Sequence, residues 1–312
     1  MTGRLTVVVV THNSAHLLPD LIASIPAAMG DLCWELVVVD NDSVDGVAET
    51  LERLLPEARL LTTGSNAGYS AGINTGHAAA ARPDALLVLN PDVRLGPRCA
   101  ELLFDAAVGQ QRGIAVPRLI DEEGRLIESL RRRPSVLRSW AGAVLGTRRA
   151  GRIGLLGEVV TTPQAYTRAG LTDWAEGSTQ VISAQCWQRV GGWDESFFLY
   201  SEETDYHLRA AEAGFGVWFV PEAEATHLEG GSANPRLWTL LVLNRIKLFA
   251  RGHGRAAVAG FWAASVWHEA VRAVGGRPAS RAALAALLDL RRVGAVLRAR
   301  EPARVREIIG LA

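Results

Sequence analysis

Uninterrupted β-branched runs alternate with amphipathic stretches along the first ninety or so residues. Leu5 to Val10 and Leu36 to Val39 are apolar runs bounded by polar turns, the pattern of strands buried on both faces of a parallel sheet. Between them Ala15 to Met29 reads as a helix, and Val47 to Leu55 predicts a second one that opens after Asp45-Gly46 and stops at Pro56. Arg59 to Thr63 predicts a short strand, Ala71 to Ala81 an Ala-rich helix and Ala85 to Leu89 another buried strand. This β-α-β-α alternation predicts a doubly wound α/β sheet that binds ligands at the carboxyl ends of its strands.

After Asp92 the rhythm changes. A helix is expected near Arg98 to Gln110, a strand near Ile114 to Pro117, and a hairpin-like turn at Gly124 in LIDEEGRLIES. The loop Arg131-Arg132-Arg133-Pro134 follows; from about Ser139 to Asp173 no clean period survives, which predicts a mobile loop region. Order returns with Gly177 to Val190, and the chain from Arg236 onward reads as helices.

With 312 residues and 48% apolar content, there is room for one large α/β domain plus an appendage, or for two modest domains. Net charge is zero, but it is unevenly spread. Of 33 basic and 33 acidic residues, 14 basic and 4 acidic lie from Arg236 to the end, which leaves 19 basic and 29 acidic before it. An acidic body with a basic tail suits a phosphate-bearing partner or an anionic membrane surface. Cys33, Cys99 and Cys186 are odd in number and widely spaced, suggesting neither a disulfide framework nor a zinc site and fitting a reducing cytoplasm. The N-terminal apolar run is too short for a signal peptide, and no stretch approaches the roughly 18 apolar residues of a spanning helix.

Three polar clusters fall directly after expected strands: Thr11-His12-Asn13, Asp40-Asn41-Asp42-Ser43-Val44-Asp45, and Asn90-Pro91-Asp92. In such a sheet they converge on one crevice. Helix capping is the competing account, and it is expected for Ser14 and Asp45. The turn after the first strand, THNSAH, has no glycine, so a dinucleotide fingerprint is excluded, and a Walker phosphate loop is absent. Nucleotide binding must then rely on side chains and a metal. Asp92 is placed to hold a hard divalent cation such as magnesium or manganese.

The segment Gly191 to Arg209 crowds five carboxylates, Asp194, Glu195, Glu202, Glu203 and Asp205, into twelve residues beside Trp193, Phe197 and Phe198. Crowding raises carboxylate pKa values and suits a general base. A helix N-terminus at Glu202 to Asp205 works the other way, and the sequence leaves the sum open.

Taken in order, VVVVTHN, VVVDND-S-x-D, NAGYSAGINTG, LLVLNPD and GGWDESFFLYSEETDYHLR resemble family 2 glycosyltransferases of the GT-A fold, in particular their rhamnosyltransferase-like branch. The resemblance spans Leu5 to Gly231. It implies a Rossmann-like, mostly parallel sheet with helices on both faces in a catalytic domain over 1–235, with 1–95 binding the nucleotide sugar and 96–235 the acceptor, and a basic helical extension over 236–312. It also implies donor binding by Thr11, Asn13 and Asp40, a pocket shaped by Asn66, Gly68 and Asn74, and a metal motif whose first acid is replaced by Asn90 and whose last is Asp92. His227 in ATHLEGGS matches a histidine that completes the metal site. Glu203 stands where the family base is usually Asp, with Glu202 beside it; Asp194 and Glu195 are the alternatives, better suited to binding acceptor hydroxyls. Ser183-Ala184 replace a basic pair of the family.

The implied activity is inverting transfer of a sugar, rhamnose from dTDP-rhamnose by branch, to a hydroxyl of a glycan or polyprenyl-diphosphate-linked acceptor, with no nucleic-acid partner. A sugar-nucleotide nucleotidyltransferase and a non-catalytic carbohydrate-binding protein remain open as alternatives. The missing QxxRW motif and spanning helix argue against a processive polymerase. The apolar face from Trp238 to Phe249 is edged by Arg245, Lys247 and Arg251, so 236–312 is expected to pack on its own domain, on a second copy, or peripherally on the cytoplasmic membrane leaflet. Arg131 to Arg133 are a candidate contact for the acceptor diphosphate.

Overall fold

The computed structural model describes residues 3–228 and 234–310; the end of ATHLEGGS, including Gly230 and Gly231, lies outside them. The chain runs β1 (Arg4–Thr11), α1 (Leu18–Met29), β2 (Cys33–Asp40), α2 (Val47–Leu54), β3 (Arg59–Thr62), α3 (Tyr69–Ala79), β4 (Ala85–Leu89), β5 (Val93–Leu95), α4 (Cys99–Phe104) and β6 (Gly113–Ile120). It continues through β7 (Leu130–Arg131), α5 (Val136–Leu145), α6 (Thr147–Gly151), β8 (Gly170–Thr172), β9 (Trp174–Ala175), β10 (Thr179–Ser183), α7 (Ala184–Val190), α8 (Glu202–Glu212) and β11 (Gly216–His227). Five helices close it: α9 (Pro235–Gly252), α10 (Arg255–Val274), α11 (Pro278–Leu288), α12 (Leu290–Arg298) and α13 (Pro302–Ile309).

The main sheet has the order β3-β2-β1-β4-β10-β6-β11-β5, with β8 also paired to β11. β1 to β4 are mutually parallel, as the first three loops predict, whereas β10 runs antiparallel to both β4 and β6. That reversal places the loops around β9, β10 and β11 across from the carboxyl ends of β1, β2 and β4. β1 is buried on both faces: Val7 and Val9 pack with α1 and α4, while Val8 and Val10 pack with α3 and α7. Period-two alternation thus feeds two cores from one strand, which is why the run reads as continuously apolar.

The Ser139 to Asp173 stretch is more regular than its sequence implies, carrying α5, α6 and β8. α5 buries none of its residues, so its apolar positions do not form the usual core-facing stripe. Its start is nonetheless written locally: Ser135 accepts the Arg138 N–H at 3.2 Å, an N-cap. At Gly124 the turn forms, but only an isolated Ile120–Leu126 bridge flanks it rather than a full hairpin. Ser14 occupies a helix start without a side-chain cap bond, and Asp45 accepts the Ala15 N–H at 2.8 Å rather than capping α2. Capping therefore explains less of these clusters than the sequence allows. All three cysteines are free.

The C-terminal helices form a third core from Leu240, Leu243, Phe249, Phe261 and Leu287 together with Phe198 of the catalytic segment. The apolar face of α9 is therefore spent inward, on its own chain. Among the described residues no helix is long and apolar enough to cross a membrane.

Candidate active site

The ends of β1 and β2 lie side by side, Thr11 opposite Asp40. The Thr11 hydroxyl donates to Asp40 Oδ1 at 2.9 Å, and the Ser43 hydroxyl donates to the same oxygen. Asn13, at a left-handed φ of 53°, donates its N–H to Ser43 Oγ at 2.8 Å and accepts the Val44 N–H at 2.9 Å. The first two polar clusters are thereby locked into one rim. At the start of α3, Asn66 accepts the Gly68 N–H at 3.1 Å. Gly68 has φ +93°, and a Cβ there would come within 2.5 Å of the Phe198 carbonyl. This position needs glycine so that the rim can touch the acidic segment. Arg306 of α13 donates to the Asn66 carbonyl at 2.8 Å, so the last helix reaches the same rim. Asn74 sits further along α3, with both amide atoms bonded to the Trp193 backbone (2.9 and 2.8 Å) and its nitrogen also to Glu195. It staples the Gly-Gly-Trp turn to α3.

Asn90 and Asp92 follow β4. The Asn90 N–H donates to the Ser178 carbonyl at 2.8 Å, and the Asp92 carbonyl accepts the Leu228 N–H at 2.9 Å, which ties the motif to the end of β11. There His227 stands opposite Val93, its Nε2 3.3 Å from Asp92 Oδ2 and its Nδ1 3.8 Å from Glu176 Oε1. Among the described residues, Asp92 Oδ1 is buried and has no hydrogen-bond partner. A carboxylate with one buried, unpaired oxygen and its other oxygen beside an imidazole is a donor set that fits a divalent cation. Among the described residues no group of three ligating side chains converges closely enough to hold an ion alone.

Glu202 and Glu203 open α8 after Tyr200 and Ser201, two consecutive non-glycine residues at φ 67° and 75°. That unfavourable pair is held by Asn244 of α9, whose side-chain nitrogen donates to the carbonyls of Leu199 (2.9 Å) and Tyr200 (3.1 Å). Glu202 is buried, with Oε2 unpartnered; burial, then the charge of Glu203, pushes its pKa well up. Glu203 is half-buried, and burial with the charge of Glu176 carries it up to about 7 despite backbone N–H groups that pull it down. The contest between crowding and helix dipole is decided by desolvation.

Glu176 reaches Glu203 because Gly177 permits it: a Cβ on Gly177 would lie 2.8 Å from that of Glu203. His207 fixes this approach. Burial lowers its pKa to about 3, so it is neutral, accepting the Ala175 N–H through Nδ1 at 3.3 Å and donating from Nε2 to Gln180 at 2.8 Å. Tyr69 completes the group. Among the described residues its buried hydroxyl has no partner, and burial followed by the charges of Glu202, Asp92, Glu176 and Glu203 raises its pKa strongly, so it stays a phenol.

Asp92, His227, Glu202 and Glu203 are therefore brought together, with Tyr69 and Glu176 as members that the sequence argument missed. Tyr69 lay unremarked inside NAGYSAG; Glu176 carries no local signal, because only the antiparallel β10 brings its loop across. Asp194 lies elsewhere. Its carboxylate meets Arg251 at 2.6 Å and accepts the Ser196 N–H at 2.8 Å; burial would raise its pKa, but these partners outweigh that and hold it below the usual range. It lines a separate cavity of about 820 Å³ with Lys247, Arg251, Arg298 and Arg300. An ion-paired Asp194 is a poor proton acceptor. A small cavity of about 80 Å³ beside Glu203 is walled by Glu158, Arg245, Trp174 and Tyr200.

A sequence model described as glycosyl transferase family 2 matches residues 6–162. An N-acetylglucosaminyl-diphospho-decaprenol L-rhamnosyltransferase of Mycobacterium tuberculosis is 33% identical over 244 residues, 73% of this chain and 76% of that protein. The chain belongs to glycosyl transferase family 2. The low-salt glycan biosynthesis hexosyltransferase Agl10 of Haloferax volcanii is 26% identical over 231 residues, 73% of this chain and 68% of the relative. The fold of this glycosyltransferase matches the mannosyltransferase PcManGT from Pyrobaculum calidifontis in complex with GDP-Man and Mn²⁺, with a TM-score of 0.54 at 16% identity over 100% of this chain and 87% of that one. It also matches GalNAc-T7 with UDP, GalNAc and Mn²⁺, with a TM-score of 0.57 at 14% identity over 80% of this chain and 48% of that one. The GT-A architecture implied by the motifs is thus the one observed, and the enzyme reading displaces the nucleotidyltransferase and the binding protein.

Proposed function

We propose that this glycosyltransferase moves rhamnose from dTDP-rhamnose to a hydroxyl of a polyprenyl-diphosphate-linked glycan, with inversion at the anomeric carbon. The donor sugar and the lipid-linked acceptor are supported by the name of the Mycobacterium tuberculosis relative. The observation that carries the mechanism is Glu203, a carboxylate with a pKa of about 7 in the wall of a small cavity, next to a second acid too buried to compete for the role. Glu203 takes the acceptor hydroxyl proton, the freed oxygen attacks the anomeric carbon from the face opposite the diphosphate, and the proton later leaves to solvent. Asp92 and His227 would hold a divalent cation, manganese or magnesium, which would supply charge neutralisation for the leaving diphosphate. Tyr69, kept neutral, offers a hydrogen-bond donor on the same side. Thr11, Asn13 and Asp40 form the rim for base and ribose, and Asn66 and Gly68 close it. In this reading 1–235 is catalytic and 236–312 braces it, with peripheral contact at the cytoplasmic leaflet where a polyprenyl acceptor resides.

The test is nucleoside-diphosphate release from a panel of nucleotide sugars with manganese or magnesium, followed by NMR of the product anomeric centre. Release from dTDP-rhamnose with inverted configuration is expected. Preference for a UDP-hexose would remove the rhamnose assignment, and a retained anomer would remove the single displacement.

A further inference from the structure

A cavity of about 210 Å³ opens between α5, α6, α9 and α10, apart from the donor rim. Among the described residues its lining includes four arginines, Arg131, Arg138, Arg245 and Arg272, and two acids, Glu158 and Glu269. Glu158 is committed to Arg245 through a bidentate pair at 3.0 and 2.7 Å, and Glu269 accepts the Trp238 indole N–H at 3.0 Å. Arg131 is spent on backbone, donating to the carbonyls of Glu128 and Leu130. Arg138 donates from Nη1 to the Arg133 carbonyl at 2.7 Å, but among the described residues its buried Nε has no acceptor; Arg272 lies 4.8 Å over the Trp238 ring and donates to the Ser280 hydroxyl at 3.2 Å. Positive charge thus exceeds negative in a half-enclosed space, and one guanidinium nitrogen is desolvated without compensation. Such an arrangement costs free energy until an anion enters, and planar guanidinium forks match adjacent phosphates.

Two features choose between sources of that anion. Glu158, Leu241 and Arg245 line both this cavity and the one beside Glu203, so the two adjoin. On the outer side of α5 the helix exposes Leu137 (51%), Trp140 (37%) and Val144 (65%) at helical spacing, and Leu145 (43%), two turns on from Arg138, joins that apolar face to the arginine side. An anion carrying a prenyl chain has an apolar surface to follow there; a nucleotide has none.

We infer that this cavity binds the diphosphate of a prenyl-diphosphate-linked acceptor, its glycan reaching Glu203 past the Glu158–Arg245 pair. The inference rests on the sugar-transfer reading only for the direction of the glycan, since diphosphate binding needs no transfer. Isothermal titration of the full chain with farnesyl diphosphate, inorganic pyrophosphate and dTDP with manganese separates the two. The expected result is farnesyl diphosphate binding that dTDP does not displace and that exceeds pyrophosphate binding. The R138Q/R272Q double variant should weaken it about tenfold or more, while dTDP affinity stays unchanged and the melting temperature of the ligand-free protein does not fall. Ser139→Glu, which adds a carboxylate to the wall without removing any arginine, should weaken it as well. Farnesyl diphosphate affinity unaltered in both variants, or displacement by dTDP, would overturn the site; equal binding of pyrophosphate would overturn the prenyl source. Tight farnesyl diphosphate binding together with no transfer to a prenyl-diphosphate-linked N-acetylglucosamine would instead count against the sugar-transfer reading and leave the site standing.

Discussion

Replacing Glu203 with glutamine should separate function from stability. A base with a pKa of about 7 is only about one-tenth ionised at pH 6. kcat/KM should therefore rise about tenfold from pH 6 to a plateau above 7.5. Glu203→Gln should lower the plateau by about 10² to 10⁴ and abolish that acid limb. The same shift sets the stability effect. A carboxyl raised from 4.5 to about 7 in the folded state binds its proton more tightly there than in the unfolded chain. Its contribution is thus fully present below the unfolded value near 4.5 and is lost as pH rises through 7. At about 1.4 kcal/mol per pKa unit, holding the charged form above pH 7 costs the fold at most about 3 kcal/mol. Glutamine removes that cost, so Glu203→Gln should melt several degrees higher than wild type at pH 8 and at the same temperature near pH 4.5. Scanning calorimetry at both pH values, run beside the pH–rate profile, is the assay. A flat wild-type profile between pH 5.5 and 8, or an inactive variant with no pH-dependent gain in melting temperature, would refute the assignment of both the base and the desolvation that tunes it.

Asp92→Ala should reduce dTDP affinity in manganese to its metal-free value, read by titration; manganese enhancement that survives would remove Asp92 from the cation site. Tyr69→Phe deletes a hydroxyl with no protein partner, so melting should not fall while kcat/KM drops about tenfold; unchanged kcat/KM would make Tyr69 merely part of the wall. Asn244→Ala strips two part-buried carbonyls of this donor, which should cost about 1–3 kcal/mol in denaturant unfolding. It should also lower kcat more than it raises KM, because the turn that aims Glu203 relaxes.

The parallel half of the fold was legible because each of its strands is a β-branched run ending in a polar cluster, and sheet geometry alone makes such ends converge. Thr11, Asp40, Asn90 and Asp92 follow from that rule, and the ordered motifs add His227 and Glu203. Legibility stops where a residue's role depends on an antiparallel crossing. Glu176 reaches the centre only because β10 runs against β4 and β6, and no local pattern near Glu176 announces that reversal. α5 is obscured for another reason: its helically spaced apolar face is exposed, and the helix is short and set in a Gly- and Arg-rich stretch with no sustained period.

Of the placements that the sequence allows for the extension from α9 onward, packing on its own domain is the one observed, and neutral and buried groups tie it to the catalytic segment. Asn244 holds the strained turn before α8, while Lys247, buried between the Ser196 and Ala299 carbonyls at 2.7 and 2.8 Å, joins the acidic segment to the end of α12. A base aimed by a turn with two consecutive left-handed residues needs bracing from outside its own segment, because such a turn relaxes when left alone. In this chain the bracing comes from α9. The extension is therefore part of the machinery that sets Glu203, whatever surface its arginines also meet.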